Sequence, residues 1–302
     1  MPNSSTLHGL PGHLQGPFQA GVALKREGYR GRFAPTPSGP LHLGNLRTAL
    51  VSWLVARLAG GEWLLRIDDL DTPRVRSGAA SGALQDLCWL GLHWDGPVVL
   101  QSERLWLYHS VLSHLRRRGQ LYACRCSRRV LSQTPIYPGT CRPLHLSWGW
   151  EAERLPAWRL RCEGRDAGLC GDVVVRRADG YVAYHLATAI DELTCGITEV
   201  VRGDDLAPVR NAQVAVMEAL GQEAPLYRHV PLLCDGAGQK LAKRENSEGL
   251  APWRERGASA AEVVGYLAAQ LGLVGSGSVL SAAELVQELK ACTQKLNDVL
   301  KA

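Results

Sequence analysis

The chain reads as an α/β protein built on a Rossmann-like, doubly wound parallel sheet, and two observations predict that class. Strand-like and helix-like stretches alternate from Tyr29 to Leu90, the pattern of a parallel sheet crossed by helices. The two chemistry-bearing turns of this region, Pro35 to Asn45 and the Asp68 cluster, both follow strand-like stretches. Open sheets of this kind bind ligands beyond the carboxyl ends of their strands.

Taken in order, residues 1–28 are Gly/Pro/His-rich and read as a loosely ordered, flexible extension. Tyr29 to Ala34 reads as a buried strand. Leu46, Ala49, Leu50, Trp53 and Leu54 then recur at helical spacing, which predicts an amphipathic helix directly after the turn. Glu62 to Ile67 reads as a second strand, ending in Asp68, Asp69 and Asp71, with Pro73 closing the turn; a second helix follows over Ser81 to Leu90. From Tyr122 to Trp150, Cys, Pro, Gly and Arg appear without periodicity, the mark of an insertion. Asp172 to Arg177, the Asp179-Gly180 turn and Tyr181 to Ala187 read as a hairpin. Ile197 to Val201 resumes a strand, and Pro208 opens a helix reaching about Leu220. A short strand, Val230 to Leu233, precedes a Gly- and Lys-rich loop, and the stretch beyond Pro252 reads as helices split by Gly275 to Gly277.

Composition narrows the class further. The 302 residues are 46% hydrophobic and 21% charged, with a net charge of +5, ordinary for a globular protein with ample core. The first 28 residues lack the continuous apolar core of a signal peptide. The best apolar run, Ala49 to Leu58, is broken by Arg57 and is too short to span a bilayer. A reduced, cytoplasmic, non-membrane and monomeric protein is expected, so the nine cysteines are read as metal ligands or core residues rather than disulfides. Nine Trp against two Phe has no functional explanation at this level. Basic runs at Arg116 to Arg118 and Arg125 to Arg129 permit a polyanionic partner.

Three clusters carry chemistry. In Gly31-Arg-Phe-Ala-Pro-Thr-Pro-Ser-Gly-Pro-Leu-His-Leu-Gly-Asn45 a strand runs into a Pro/Gly turn that delivers His42 and Gly44 to a helix start. Backbone N–H groups, the positive end of the helix dipole and an imidazole donor then converge, which suits a nucleotide phosphate. Gly44 lets the backbone approach closely. The second cluster is Lys240-Leu-Ala-Lys243-Arg244, whose ammonium groups can reach triphosphate oxygens. The third is Cys124-x-Cys126 followed by Tyr137 and Cys141, where three thiolates and one further ligand can close a tetrahedral zinc site. By residue chemistry, Tyr137 and the more conventional His145 both remain open as the fourth ligand. Cys162, Cys170, Cys195 and Cys234 are read as core.

The first two clusters and their flanks resemble the two signatures of class I aminoacyl-tRNA synthetases, glutamyl branch. Arg32 to Asn45, Leu65-Arg-Ile-Asp-Asp-Leu-Asp-Thr-Pro-Arg74, Glu199-Val-Val-Arg-Gly-Asp-Asp-Leu206 and Lys240 to Lys243 fall in the family's order, so the likeness spans about Tyr29 to Arg244. It is greatest to the glutamyl-Q enzymes, the shortened paralogues of glutamyl-tRNA synthetase. The resemblance implies ATP-dependent activation of L-glutamate, with Mg²⁺, and its transfer to queuosine in the anticodon loop of tRNA(Asp). It implies a glutamate site of Arg32, Phe33, Ala34, Pro35, Thr36, Asp68, Tyr184 and Arg202. Arg32 and Arg202 would take the carboxylates and Asp68 the α-ammonium. ATP would meet His42, Gly44, Asn45, Lys240 and Lys243, with His42 and Lys243 stabilising charge in the transition state. It also favours Tyr137 over His145 on the zinc.

The expected organisation is therefore an extension (1–28), a first Rossmann half (29–121), a zinc-bearing insertion (122–170), a second half (171–235), and a signature loop with a small helical C-terminal region (236–302). Two positions depart from the family pattern: Asp68 stands where glutamate is usual, and Ala242 replaces the usual serine of the second signature. Only 58 residues follow Arg244, too few for the usual anticodon-binding domain, which points away from simultaneous contact with an acceptor stem and an anticodon. A truncated glutamyl-tRNA synthetase acting on a 3′ end and a non-catalytic synthetase-like RNA-binding protein are the alternatives.

Overall fold

The computed structural model describes residues 9–131, 136–162, 167–232 and 249–300. Its strands are β1 (Arg30–Phe33), β2 (Glu62–Ile67), β3 (Val99–Leu100), β4 (Leu121–Cys124), β5 (Ala157–Leu160), β6 (Val173–Arg176), β7 (Glu199–Gly203) and β8 (Leu226–Val230). The described helices run α1 (Gly12–Glu27), α2 (Leu43–Leu58), α3 (Ala79–Trp89), α4 (Leu105–Arg117), α5 (Arg128–Leu131), α6 (Ala167–Cys170), α7 (Tyr184–Thr194), α8 (Arg210–Ala219), α9 (Ala251–Glu255), α10 (Ala260–Ala269), α11 (Ala282–Lys290) and α12 (Gln294–Val299). None of the described helices is long and apolar enough to cross a membrane. The chain forms two compact units.

One unit comprises residues 27–100, 197–207 and 226–302. Here β1, β2 and β3 form a parallel sheet in that order, and β7 pairs in parallel with β8. β7 runs beside β1: the Thr198 N–H donates to the Arg30 carbonyl at 2.9 Å, and the Arg30 N–H donates to Thr198 Oγ1 at 2.9 Å. The strand order therefore reverses between β1 and β7, which is where a doubly wound sheet opens a crevice for ligand. The predicted α2 positions Leu46, Ala49, Leu50, Trp53 and Leu54 are all buried, but so are Val51, Ser52 and Ala56. This helix is enclosed nearly all round, because α10 and α11 pack on it beside the strands. Both of those helices begin with reciprocal Ser/Glu caps, Ser259 with Glu262 and Ser281 with Glu284, which satisfy N–H groups the first turn would leave open.

The other unit comprises residues 1–26, 101–196 and 208–225. Its sheet is antiparallel, in the order β4-β5-β6. A fully buried carboxylate, Asp191 on α7, holds the helices together: Gln101 Nε2 and Arg104 Nε each donate to it at 2.8 Å, and Tyr108 Oη donates at 2.9 Å. A buried charge satisfied from three sides holds its neighbours in one arrangement.

Three expectations are corrected. The strand expected over Val230 to Leu233 lies upstream, as β8 (Leu226–Val230). Residues 12–27 are not a loose extension. They form α1, with Leu14, Phe18 and Gly21 buried. The apolar spacing Leu10, Leu14, Phe18 is helical, although Gly and Pro residues interrupt it in sequence. The second arm of the proposed hairpin is also shorter than expected. After the Asp179-Gly180 turn, only Val182 bridges back to Arg176, and α7 begins at Tyr184. Leu186, Ala187, Ile190 and Leu193, all buried, supply the helical stripe that overrides the strand reading.

Candidate active site

β1 ends at Phe33, and the following turn is stitched to the exit of β2. The Asp68 N–H donates to the Pro35 carbonyl at 3.0 Å, and the Arg76 N–H to the Pro37 carbonyl at 2.9 Å. The two turns singled out in the sequence thus meet. Leu41 and Leu43 are buried on either side of the exposed His42, anchoring the turn while leaving the imidazole outward.

His42 is the N-cap of α2. Its Nδ1 accepts from the Asn45 N–H at 3.2 Å, and Asn45 Oδ1 accepts from the His42 N–H at 3.4 Å. This is a capping box written with histidine and asparagine. Because Nδ1 is the acceptor, the ring proton of the neutral form sits on Nε2, leaving Nε2–H as a donor beside the open N–H groups of the helix. Burial of its inner side lowers the His42 pKa below the ordinary imidazole value, and Asp205 opposes the shift. Gly44 has a specific reason to be glycine: an added Cβ would lie 3.0 Å from both Cε1 and Nδ1 of His42, pressing on the ring that caps the helix.

Three buried guanidinium groups gather at the same strand ends. Arg32 Nη1 donates to the Val201 carbonyl at 3.3 Å. Arg202 donates from Nε to His229 Nε2 at 3.4 Å and lies over the Tyr227 ring at 4.8 Å. Arg66 makes a bidentate pair with Asp68, at 2.6 Å from Nε and 3.2 Å from Nη2. Sequence reasoning passed over Arg66. Its signal was available, because residues i and i+2 of a strand share a face, so Arg66 and Asp68 had to be neighbours. Phe33, assigned to the glutamate site, is a core residue stacked on Trp63 at a centroid distance of 6.2 Å, so only its backbone is free to serve a ligand. Ala34 and Thr36 are half-buried and Pro35 is buried within the turn. Tyr184 opens α7, is exposed, and lies edge-on to His185; it belongs to the other compact unit.

Lys240, Ala242, Lys243 and Arg244 lie outside the described residues, as does Cys234. The described residues flanking them both return to the first cluster. Arg47, buried on α2, donates to the Pro231 carbonyl. Gly249 backs onto the Leu41 carbonyl so closely that a Cβ would meet it at 2.8 Å. Arg47 is another residue missed by sequence reasoning, since a basic residue inside an apolar helix reads as solvent-facing.

In the other unit, the sulfurs of Cys124, Cys126 and Cys141 all lie within 4.8 Å of one another. Tyr137 Oη stands 3.5 Å from the Cys124 sulfur and 3.7 Å from that of Cys126, and it accepts from the Cys141 N–H at 2.9 Å. The Arg159 guanidinium covers the Tyr137 ring at 3.7 Å. Three thiols and a phenol oxygen at these separations suit a small tetrahedral cation. Burial raises the Cys141 thiol pKa, but hydrogen bonds from Tyr137, the Arg125 N–H and the neighbouring thiols outweigh it and leave the pKa low. Burial pushes Cys126 up to about 11. A cation would deprotonate both. His145 is exposed and stands outside the group; of the cysteines read as core, Cys162 is buried but Cys170 and Cys195 are only half-buried.

The parallel sheet with its switch point, the histidine-capped helix start and the buried guanidinium groups make up an α/β core suited to anionic ligands. Residues 29–134 and 159–277 match the model for tRNA synthetases class I (E and Q), catalytic domain, and the chain belongs to that family. It is 58% identical over 299 residues to the glutamyl-Q tRNA(Asp) synthetase of Prochlorococcus marinus (strain MIT 9313), covering 97% of this chain and 98% of that protein. It is also 58% identical over 292 residues to the protein of that name from Synechococcus sp. (strain CC9605), covering 96% and 99%. Among solved structures, it superposes on the glutamate-tRNA synthetase of Elizabethkingia anophelis with a TM-score of 0.72 and 26% identity. A glutamate tRNA ligase from Elizabethkingia meningosepticum, in complex with its amino acid, gives 0.73 and 26%. The chain spans 65% and 66% of the length of those two synthetases.

Proposed function

We propose that the protein activates L-glutamate with ATP and transfers it to queuosine at the wobble position of tRNA(Asp). The observation that carries this reading is the His42-capped α2, which packs on both β1 and β7, together with Arg32 and Arg202 buried on those two strands at their switch point. A dicarboxylate amino acid needs guanidinium forks, and a nucleotide phosphate needs a helix N-terminus. The near full-length relatives named glutamyl-Q tRNA(Asp) synthetase support the acceptor.

In the first step the glutamate α-carboxylate attacks the α-phosphorus of ATP, and the bond to pyrophosphate breaks. Mg²⁺ supplies charge neutralisation when bound. His42 Nε2–H is directed toward the developing phosphorane charge, where a pre-oriented donor is worth most, and Lys243 serves the leaving group. Arg32 and Arg202 hold the carboxylates. Asp68 takes the α-ammonium with acceptor capacity beyond its pair with Arg66. In the second step a hydroxyl of the modified base attacks the acyl carbon and AMP leaves. Cys124, Cys126, Cys141 and Tyr137 hold zinc, which ties together an insertion that has little periodic core of its own; about one zinc per chain is expected on metal analysis.

The test is pyrophosphate exchange with glutamate in the absence of tRNA, followed by transfer of labelled glutamate to tRNA(Asp) with and without queuosine. Exchange that is abolished in Arg202→Ala, and label confined to queuosine-bearing tRNA, are the expected results. Label on the 3′-terminal adenosine, or equal labelling of both tRNAs, overturns the reading.

A further inference from the structure

The tryptophan excess left unexplained by the sequence has a structural counterpart. Three of the nine, Trp148, Trp150 and Trp158, fall in the insertion. Trp148 and Trp158 meet edge to face at 5.0 Å. The Arg116 guanidinium lies 4.2 Å from the Trp148 ring and 5.3 Å from Trp158, and Arg176 lies 5.0 Å from Trp158. Cations alternate with indoles at stacking distance.

Next to this ladder the chain turns back on itself. Glu151 and Arg154 exchange both backbone hydrogen bonds at 3.2 Å across Ala152 and Glu153. Those two residues have φ of 49° and 58°, a left-handed pair that tight turns normally assign to Asn-Gly. The strained turn is held from beneath by Arg125. Its guanidinium donates to the carbonyls of Ser147, Gly149, Glu151 and Arg154 at 3.3, 2.7, 3.0 and 3.1 Å. It also pairs with the Glu151 carboxylate at 3.3 Å, and Arg154 donates back to the Arg125 carbonyl. This rigid support presents Trp150, which is 68% exposed. Folding gains little from an indole left in water, and the support fixes its direction.

We infer that Trp150 is a stacking platform for an unpaired base of the RNA substrate, with the Arg116–Trp148–Trp158 ladder beside it supplying cationic and aromatic surface for the adjoining strand. The inference rests on the reading above for the identity of that RNA. Charge complementarity selects the occupant: Arg125 neutralises Glu151, Arg154 and Glu153 offset one another in the turn, and Arg116 and Arg176 lie against the ladder rings as the cations that remain. An indole flanked by guanidinium groups takes a base face and its phosphates together, whatever the base.

Binding, not catalysis, provides the test, so its failure is separable from failure of the exchange assay. The probes are a fluorescein-labelled RNA hairpin with an anticodon-sized loop and its stem alone as a blunt duplex, followed by anisotropy with the full chain. The expected outcome is a preference for the hairpin, with its dissociation constant raised about tenfold in Trp150→Ala, as loss of one stacked base implies. Trp150→Phe restores most of the affinity, and the thermal midpoint and zinc content stay at wild-type values. Unchanged hairpin binding in Trp150→Ala overturns the inference. So does equal wild-type affinity for hairpin and duplex, or a self-association that Trp150→Ala abolishes while hairpin binding persists.

Discussion

At the scale of the residue, His42 combines two roles that most substitutions would confuse. Its Nδ1 caps α2, and in the proposed reaction its Nε2–H serves the phosphate. Asparagine separates the roles, because it is among the strongest N-caps but carries no donor at the Nε2 position. His42→Asn is expected to change stability by less than about 1 kcal/mol while slowing pyrophosphate exchange about 10²- to 10³-fold. Thermal melts beside exchange kinetics check this; retained exchange would reduce His42 to a helix cap. The lowered pKa adds a second outcome. The folded state refuses a proton that the unfolded chain accepts near 6.5, so the contribution of neutral His42 to stability is complete above that value and declines as pH falls below it. The acid limb of the exchange rate should therefore fall below pH 6.5, and a limb above it that disappears in His42→Asn would contradict the assigned protonation state.

At the scale of the element, α1 is the part least legible in sequence and the most open to a simple test. Phe18 is 1% exposed, so Phe18→Ala should cost about 3–5 kcal/mol in denaturant unfolding. A loss under about 1 kcal/mol would restore the picture of a loose extension, since surface substitutions cost little. In the unit with the parallel sheet, Glu62 to Ile67 was legible to its bounds and the helix after the His-Leu-Gly-Asn turn was placed by five apolar positions, whereas the strand expected from Val230 lies upstream, at Leu226–Val230. The start of α7 was not legible, because Tyr181 to Ala187 is β-prone locally and becomes helical through the burial of Leu186, Ile190 and Leu193. Of the site, the residue types were legible and the pairings between strands were not. Nothing in the sequence says that Arg202 lies between His229 and Tyr227, because those contacts join strands distant along the chain, whereas the Arg66–Asp68 pair follows from strand alternation.

At the scale of the whole molecule, the character of the charge is more informative than its net value of +5. No lysine occurs between Lys25 and Lys240, so every fixed cation over that stretch is an arginine. Guanidinium groups fork onto carboxylates and phosphates and stack on aromatic rings; Arg116, Arg159 and Arg202 each lie over a ring here. Two of the six lysines, Lys240 and Lys243, fall in the second signature, where a compact, rotatable ammonium suits a leaving pyrophosphate better than a rigid fork. This division separates the two substrates by their response to salt. On the proposed reading glutamate would meet buried guanidinium groups, which are weakly screened, whereas an RNA backbone would meet exposed ones and release counterions on binding. Raising sodium chloride from 50 to 200 mM should therefore increase the KM for tRNA by at least about tenfold and change the KM for glutamate in exchange by less than about twofold. Parallel shifts in the two constants would mean that the glutamate site is open to solvent, against the burial of Arg32 and Arg202. A tRNA constant indifferent to salt would mean that the exposed arginines are a solvated face and that the RNA is held by base contacts alone.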